Sequence, residues 1–256
     1  MFPFILLILA VCLSFSEAEN IPCGISSSLE KYAIYNPNRI LGGENAKDGD
    51  WPWYALITSG SRLCGATIVS DKWILTAAHC FDKKSIDVSI QYGSVNRSGG
   101  ENDTSQKIFI HSGFNEDSGI NDIALIELEK PLNFSENVQS ICLNHSVEPN
   151  ANEILAMVGF GKIFKQFQGS TAEFIHPDIL QDGPIAYKQN STISEGCDTV
   201  KICVSGINHA ALSGDSGGPL MTIRDNRWFQ IGVASMLKYV SGVFEDESIT
   251  MATDSM

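Results

Sequence analysis

What most restricts the fold of this chain is how its apolar residues are spaced. From Trp53 to Ser235 they come in short runs broken by Gly, Asn, Ser and Pro, with little recurrence at helical spacing. Runs at 53–58, 65–70, 73–76, 86–92, 107–111 and 123–128 read as strands in the first half, and runs at 154–158, 201–204, 219–223 and 229–235 in the second. Many short strands separated by turn residues point to an all-β barrel or sandwich. There is no short-period repeat and no low-complexity tract. At 256 residues the chain can bury a large core, as one long domain or two small lobes. With 43% hydrophobic and 18% charged residues, wholesale disorder is disfavoured. A net charge of −13 disfavours nucleic acid or an anionic membrane surface as partner, because both repel an acidic protein.

The first residues carry a different signal. Phe2 to Phe15 is almost wholly apolar and Glu17 to Asn20 turns polar at once, the pattern of a secretory signal peptide (residues 1–18) cleaved after Ser16 or Ala18. No other segment is long and apolar enough to span a bilayer, so the expectation is a secreted, extracellular protein with no membrane span. Seven cysteines become six once Cys12 leaves with the signal. An even count in an oxidising compartment argues for disulfides among Cys23, Cys64, Cys80, Cys142, Cys197 and Cys203, and spacing alone leaves fifteen pairings open. Sequons at Asn96, Asn102, Asn133, Asn144 and Asn190 are candidate glycosylation sites and fit the same route. No cysteine spacing suggests zinc and no acidic loop has calcium-ligand periodicity, so neither metal nor cofactor is expected.

A polar leader, residues 19–39, ends in Asn36-Pro37-Asn38-Arg39, an accessible basic loop suited to cleavage by a trypsin-like protease. Ile40-Leu41-Gly42-Gly43 follows it as a potential new amino terminus. Further on, Ser213-Gly214-Asp215-Ser216-Gly217-Gly218-Pro219 leads into an apolar strand. A serine hydroxyl attacks well only when a base takes its proton and donors await the oxyanion. Glycines around Ser216 let the amides of Gly214 and Ser216 turn toward one point. Taken alone the stretch is a glycine-rich turn. His79, in Thr76-Ala77-Ala78-His79-Cys80, and Asp122, in Asn121-Asp122-Ile123-Ala124-Leu125, both sit at strand ends. What raises them is their joint occurrence in the order His, Asp, Ser, 43 and 94 residues apart. His111, His145, His176 and His209 read as structural.

On these motifs the chain resembles the chymotrypsin-like (trypsin-fold) serine endopeptidases, from about Ile40 to Phe244. The resemblance implies an all-β fold of two six-stranded antiparallel β-barrels with the active site between them, and a peptidase domain over 40–256. It implies His79 as general base, Asp122 as its orienting carboxylate, Ser216 as nucleophile, and Gly214 and Ser216 as the oxyanion hole, acting on a protein or peptide substrate. It implies a zymogen activated after Arg39, whose freed Ile40 ammonium buries itself against the Asp215 carboxylate. It also implies the pairs Cys64–Cys80, Cys23–Cys142 and Cys197–Cys203.

The chain departs from the family in several places. Ala210 stands where trypsin-like members carry an aspartate at the base of the specificity pocket, which disfavours arginine specificity. With Ser235, Leu237 and Gly242 it would line a shallow apolar pocket, Met236 and Leu237 replacing the family's tryptophan and glycine. Leu212 and Leu155 replace cysteines, and Gly159-Phe160-Gly161 replaces Gly-Trp-Gly. After Gly242-Val243-Phe244 the acidic tail 245–256 reads as lacking the family's final strand and C-terminal helix. The altered pocket and tail keep a second reading open, a catalytically silent homologue that works as a binding protein.

Overall fold

A computed structural model describes residues 22–33, 43–81, 88–151, 153–168, 171–187, 201–206, 213–239 and 247–252. A six-residue helix, α1 (Ser28–Ala33), comes first. The strands of the first half are β1 (Glu44–Asn45), β2 (Tyr54–Ser59), β3 (Arg62–Ile68), β4 (Trp73–Thr76), β5 (Val88–Tyr92), β6 (Glu101–Ile110), β7 (Ala124–Leu128) and β8 (Cys142–Leu143). Those of the second are β9 (Ile154–Gly159), β10 (Ile163–Gln168), β11 (Thr171–Ile175), β12 (Gln181–Tyr187), β13 (Lys201–Gly206), β14 (Pro219–Arg224), β15 (Arg227–Tyr239) and β16 (Glu247–Ala252).

Strands β2-β3-β4-β7-β6-β5 close into an antiparallel barrel. Its interior comes from alternation: in β7 the residues Ala124, Ile126 and Leu128 are buried while Leu125 and Glu127 between them are half-buried. Ile57, Ile68, Ile74, Ile90, Ile126 and Leu128 fill the centre, each essentially without solvent exposure. Burying a side chain of this size is worth about 1.5–3 kcal/mol. The second half forms a matching ring, since β9 pairs with both β12 and β14, β12 with β13, β13 with β16, and β16 with β15, which returns to β14. Its core is smaller and includes Leu155, Ile185, Val204, Leu220 and Ile231. The fold is therefore all-β with two six-stranded antiparallel barrels. One expectation is corrected here: the acidic tail does provide a final strand, β16, seated between β13 and β15. Ile249 and Thr250 are β-branched and favour extended backbone, a signal diluted by the acidic residues before them.

Residues 22–33 are packed onto this body. Cys23 is bonded to Cys142. Gly24 exchanges backbone hydrogen bonds with Ser140 and Trp228, at 2.8 Å each. Tyr32 stands edge-on to Trp51 and Trp228, with ring centroids 5.6 and 5.2 Å away. The barrels touch where Gly65 of β3 meets Gly218, so closely that a methyl group on Gly65 would lie 2.9 Å from the Gly218 Cα. The Trp53 indole also donates to Met221 Sδ at 3.2 Å. This seam is where the site forms.

Candidate active site

His79 lies in a single 3₁₀ turn, Ala78–Cys80, directly after β4. Three contacts fix it there. Cys80 is bonded to Cys64 of β3, the Arg62 guanidinium donates to the His79 carbonyl, and the His79 amide donates to Asp122 Oδ1 at 2.8 Å. The imidazole Nδ1 is 2.6 Å from Asp122 Oδ2, and the Ser235 hydroxyl donates to the same oxygen at 2.5 Å. Asp122 precedes β7, next to Asn121, whose φ of 56° turns the chain into the strand. Its side chain is 1% exposed and that of His79 28%. Burial pushes the Asp122 carboxyl up, but the hydrogen bonds and charge of His79, with the Ser235 hydroxyl, outweigh it and hold the group below the ordinary carboxylate value. An ionised Asp122 can only accept, so Nδ1 carries the proton and Nε2 is left as the basic nitrogen.

Ser216 is placed mainly through backbone. Its carbonyl accepts from the Gly65 amide at 2.7 Å, and the Gly65 carbonyl accepts from the hydroxyl of Thr76, three residues before His79, at 2.8 Å. Gly217 donates to the Ala234 carbonyl at 2.7 Å and Gly218 to the Asp215 carbonyl at 3.0 Å. Gly214 and Gly217 have φ of 109° and 79°, backbone that side-chain-bearing residues rarely adopt. Among the described residues no hydrogen bond joins the Ser216 hydroxyl to His79; such contacts often tighten only when substrate binds.

Behind the serine loop, the Asp215 carboxylate accepts from the Gly161 amide at 2.8 Å. Lys162 donates to the Ser213 carbonyl at 3.0 Å, so residues 161–162 and 213–215 are stitched together. Gly159 and Gly161 leave the room the carboxylate fills, since a Cβ on either would fall about 2 Å from its oxygens. The buried Tyr54 phenol is pushed up first by burial and then by the Asp215 charge, and stays neutral. His176, read from sequence as structural, hydrogen-bonds the Phe160 carbonyl at 2.8 Å and packs against Gly214. Arg62 and His176 carry no sequence motif; only the folded chain brings them to the site.

Ser235 was expected to line a substrate pocket, and the structure places its hydroxyl on Asp122. Arg39, Ile40, Ala210, Gly242, Cys197 and Asn190 lie outside the described residues, as does the Leu237 side chain. Cys203 is disulfide-bonded. Asn96, Asn102, Asn133 and Asn144 are exposed. Donor atoms of Cys64, His79 and Cys80 come within 4.8 Å of one another, but the two sulfurs are bonded together and offer no thiolate to a metal.

Comparison with known proteins adds three findings. The family model described as Trypsin matches residues 40–250. The chain is 29% identical over 218 residues to the Mus musculus protein named Transmembrane protease serine 11C, covering 79% of this chain and 48% of that one. It is 30% identical over 213 residues to the Homo sapiens protein named Transmembrane protease serine 11B, covering 79% and 50%. The chain thus spans about half the length of the curated relatives it matches. These names correct the expected partner set: relatives that are transmembrane proteases overturn the expectation of a protein with no membrane span. Among the described residues, no helix is long and apolar enough to cross a membrane.

Proposed function

This chain belongs to the trypsin family of serine endopeptidases, and from that premise we propose that it cleaves proteins on the extracellular side through His79, Asp122 and Ser216. The observation that carries the reading is the 2.6 Å contact between His79 Nδ1 and a buried, ionised Asp122, on the same strand end to which the Ser216 loop is tied. His79 Nε2 accepts the Ser216 proton as Oγ attacks the substrate carbonyl carbon. The amides of Gly214 and Ser216 receive the oxyanion, each such donor being worth about 3–4 kcal/mol in the transition state. The imidazolium, stabilised by Asp122, returns its proton to the leaving amine. Water then hydrolyses the acyl-enzyme by the same path.

The protein is made as a zymogen. Cleavage after Arg39 frees the Ile40 ammonium, which pairs with Asp215 and orders the Gly214 amide. The packing of Asp215 against Gly159 and Gly161 supports this, because it holds the carboxylate at the back of the oxyanion loop. Ala210 in place of an acid favours small or medium apolar side chains at the primary pocket. Passage through the secretory pathway is supported by the disulfides and by four exposed sequons at Asn96, Asn102, Asn133 and Asn144.

The test is covalent labelling by a fluorophosphonate after cleavage at Arg39. Cleaved wild-type protein labels at Ser216, and Ser216→Ala does not label and loses about 10⁶-fold in kcat. A folded, cleaved wild type that takes no label sinks the peptidase reading in favour of a silent binding homologue.

A further inference from the structure

Between the end of α1 at Ala33 and the start of β1 at Glu44 lies the stretch that contains the Arg39–Ile40 bond. Both ends of that stretch meet at one buried carboxylate. Lys31 of α1 donates to Asp182 Oδ1 at 2.6 Å and lies 3.3 Å from Glu44 Oε2. Glu44 itself faces Asp182 in the β1–β12 register. The Asp182 side chain is 1% exposed. Its Oδ2 takes the Trp51 indole N–H at 2.9 Å, and the Tyr32 hydroxyl reaches Oδ1 at 3.4 Å. Among the described residues, Lys31 is the cation that pairs with it. Burial pulls the Lys31 ammonium down, yet the Asp182 and Glu44 charges outweigh burial and leave it above the ordinary lysine value.

The same carboxylate is connected to the site. Asp182 faces Val158 across the β12–β9 pair, and β9 runs into Gly159 and Gly161, against which Asp215 packs. A released Ile40 stands four residues before Glu44, so its ammonium reaches at most about 14 Å from that residue. Where β1 is held therefore decides whether the ammonium arrives.

We propose that Lys31, on the segment tethered by Cys23–Cys142, is a positioning residue for activation. Lys31 pins β1 through Asp182 and Glu44 at the distance from which Ile40 reaches Asp215. This rests on the activation reading given above.

Cleaved wild type, Lys31→Met and Lys31→Arg test it. All three yield Ile40 as the new amino terminus by sequencing. Lys31→Met is expected to keep a cooperative thermal transition while labelling about a tenfold smaller fraction of its serine. Its kcat on a peptide substrate falls by a similar factor with KM unchanged, and Lys31→Arg recovers most of both. In a Cys23→Ser, Cys142→Ser background the cleaved leader co-elutes with the body, and adding Lys31→Met releases it. Should Lys31→Met not fold, Glu44→Gln, which leaves Asp182 paired, is expected to lower labelling about threefold; no change there overturns the proposal. Lys31→Met that labels and turns over like wild type, or Lys31→Arg that is no better than Lys31→Met, overturns this inference alone. A cleaved wild type that never labels overturns the activation reading and this inference with it.

Discussion

The two halves of the site are held by different means. His79 and Asp122 are joined by side-chain and backbone hydrogen bonds, and the Cys64–Cys80 bond locks the His79 turn onto β3. Ser216 and Gly214 depend on backbone contacts and on one carboxylate, Asp215, backed by the Gly161 amide. The contacts of the His79–Asp122 half thus lie within the first barrel, apart from the Ser235 hydroxyl that reaches across to Asp122. The Ser216 half hangs on backbone contacts around Asp215.

The sharpest way to break this contrast is in the first half. Asp122→Asn leaves the fold intact but presents an amide that no longer fixes the Nδ1–H tautomer, and kcat is expected to fall about 10⁴-fold with the thermal midpoint nearly unchanged. A fall of less than tenfold would mean that Asp122 only supports the fold. In the second half, Gly214→Ala forces a Cβ toward the His176 ring and Gly161 at a φ of 109°, spoiling one oxyanion donor. There kcat should drop about 10²–10³-fold with KM little changed. Ser235→Ala removes one hydrogen bond to a charged group, and a loss of about tenfold in kcat is expected from steady-state kinetics.

The smallest effect concerns stability of the second barrel. Glu153, beside β9, accepts from Arg224 at 2.6 and 2.8 Å and from Thr222. Burial pushes its carboxyl up, but these bonds outweigh it and hold the group at about 2 against an ordinary 4.5. A depressed carboxylate stabilises the fold above its unfolded value and loses that contribution as pH falls through its folded one. Glu153→Gln should therefore cost about 1 kcal/mol at neutral pH once solvent screening is allowed for. In thermal unfolding against pH, the wild-type and mutant curves should converge between about pH 4.5 and 2. Parallel curves would show the pair to be energetically idle.

The sequence named an all-β fold, which the structure bears out, and a set of candidate site residues. His79, Asp122 and the Ser216 loop sit in short local motifs that mark them as candidates without coordinates, and the structure brings His79 onto Asp122. Ten strand segments were legible because buried side chains alternate or cluster in them. The elements that escaped did so for identifiable reasons. β12 contains Gly183 and Pro184, residues that signal a turn, yet it pairs with β9 across both. β10 and β11 carry Ile163, Phe164, Phe174 and Ile175 exposed, so they lack the alternation that marks a core strand. Supporting contacts such as Ser235 on Asp122, 113 residues apart, depend on tertiary closure that no local pattern encodes.

The seat of β16 bears on how the molecule is made. The first barrel can shut once Leu128 has left the ribosome, whereas the second waits for Ala252. Until then β13 and β15 offer bare edges to any neighbouring chain. A product halted by a premature stop before Glu247 would pair half of a finished molecule with half of an aggregation template, a natural object for chaperone triage.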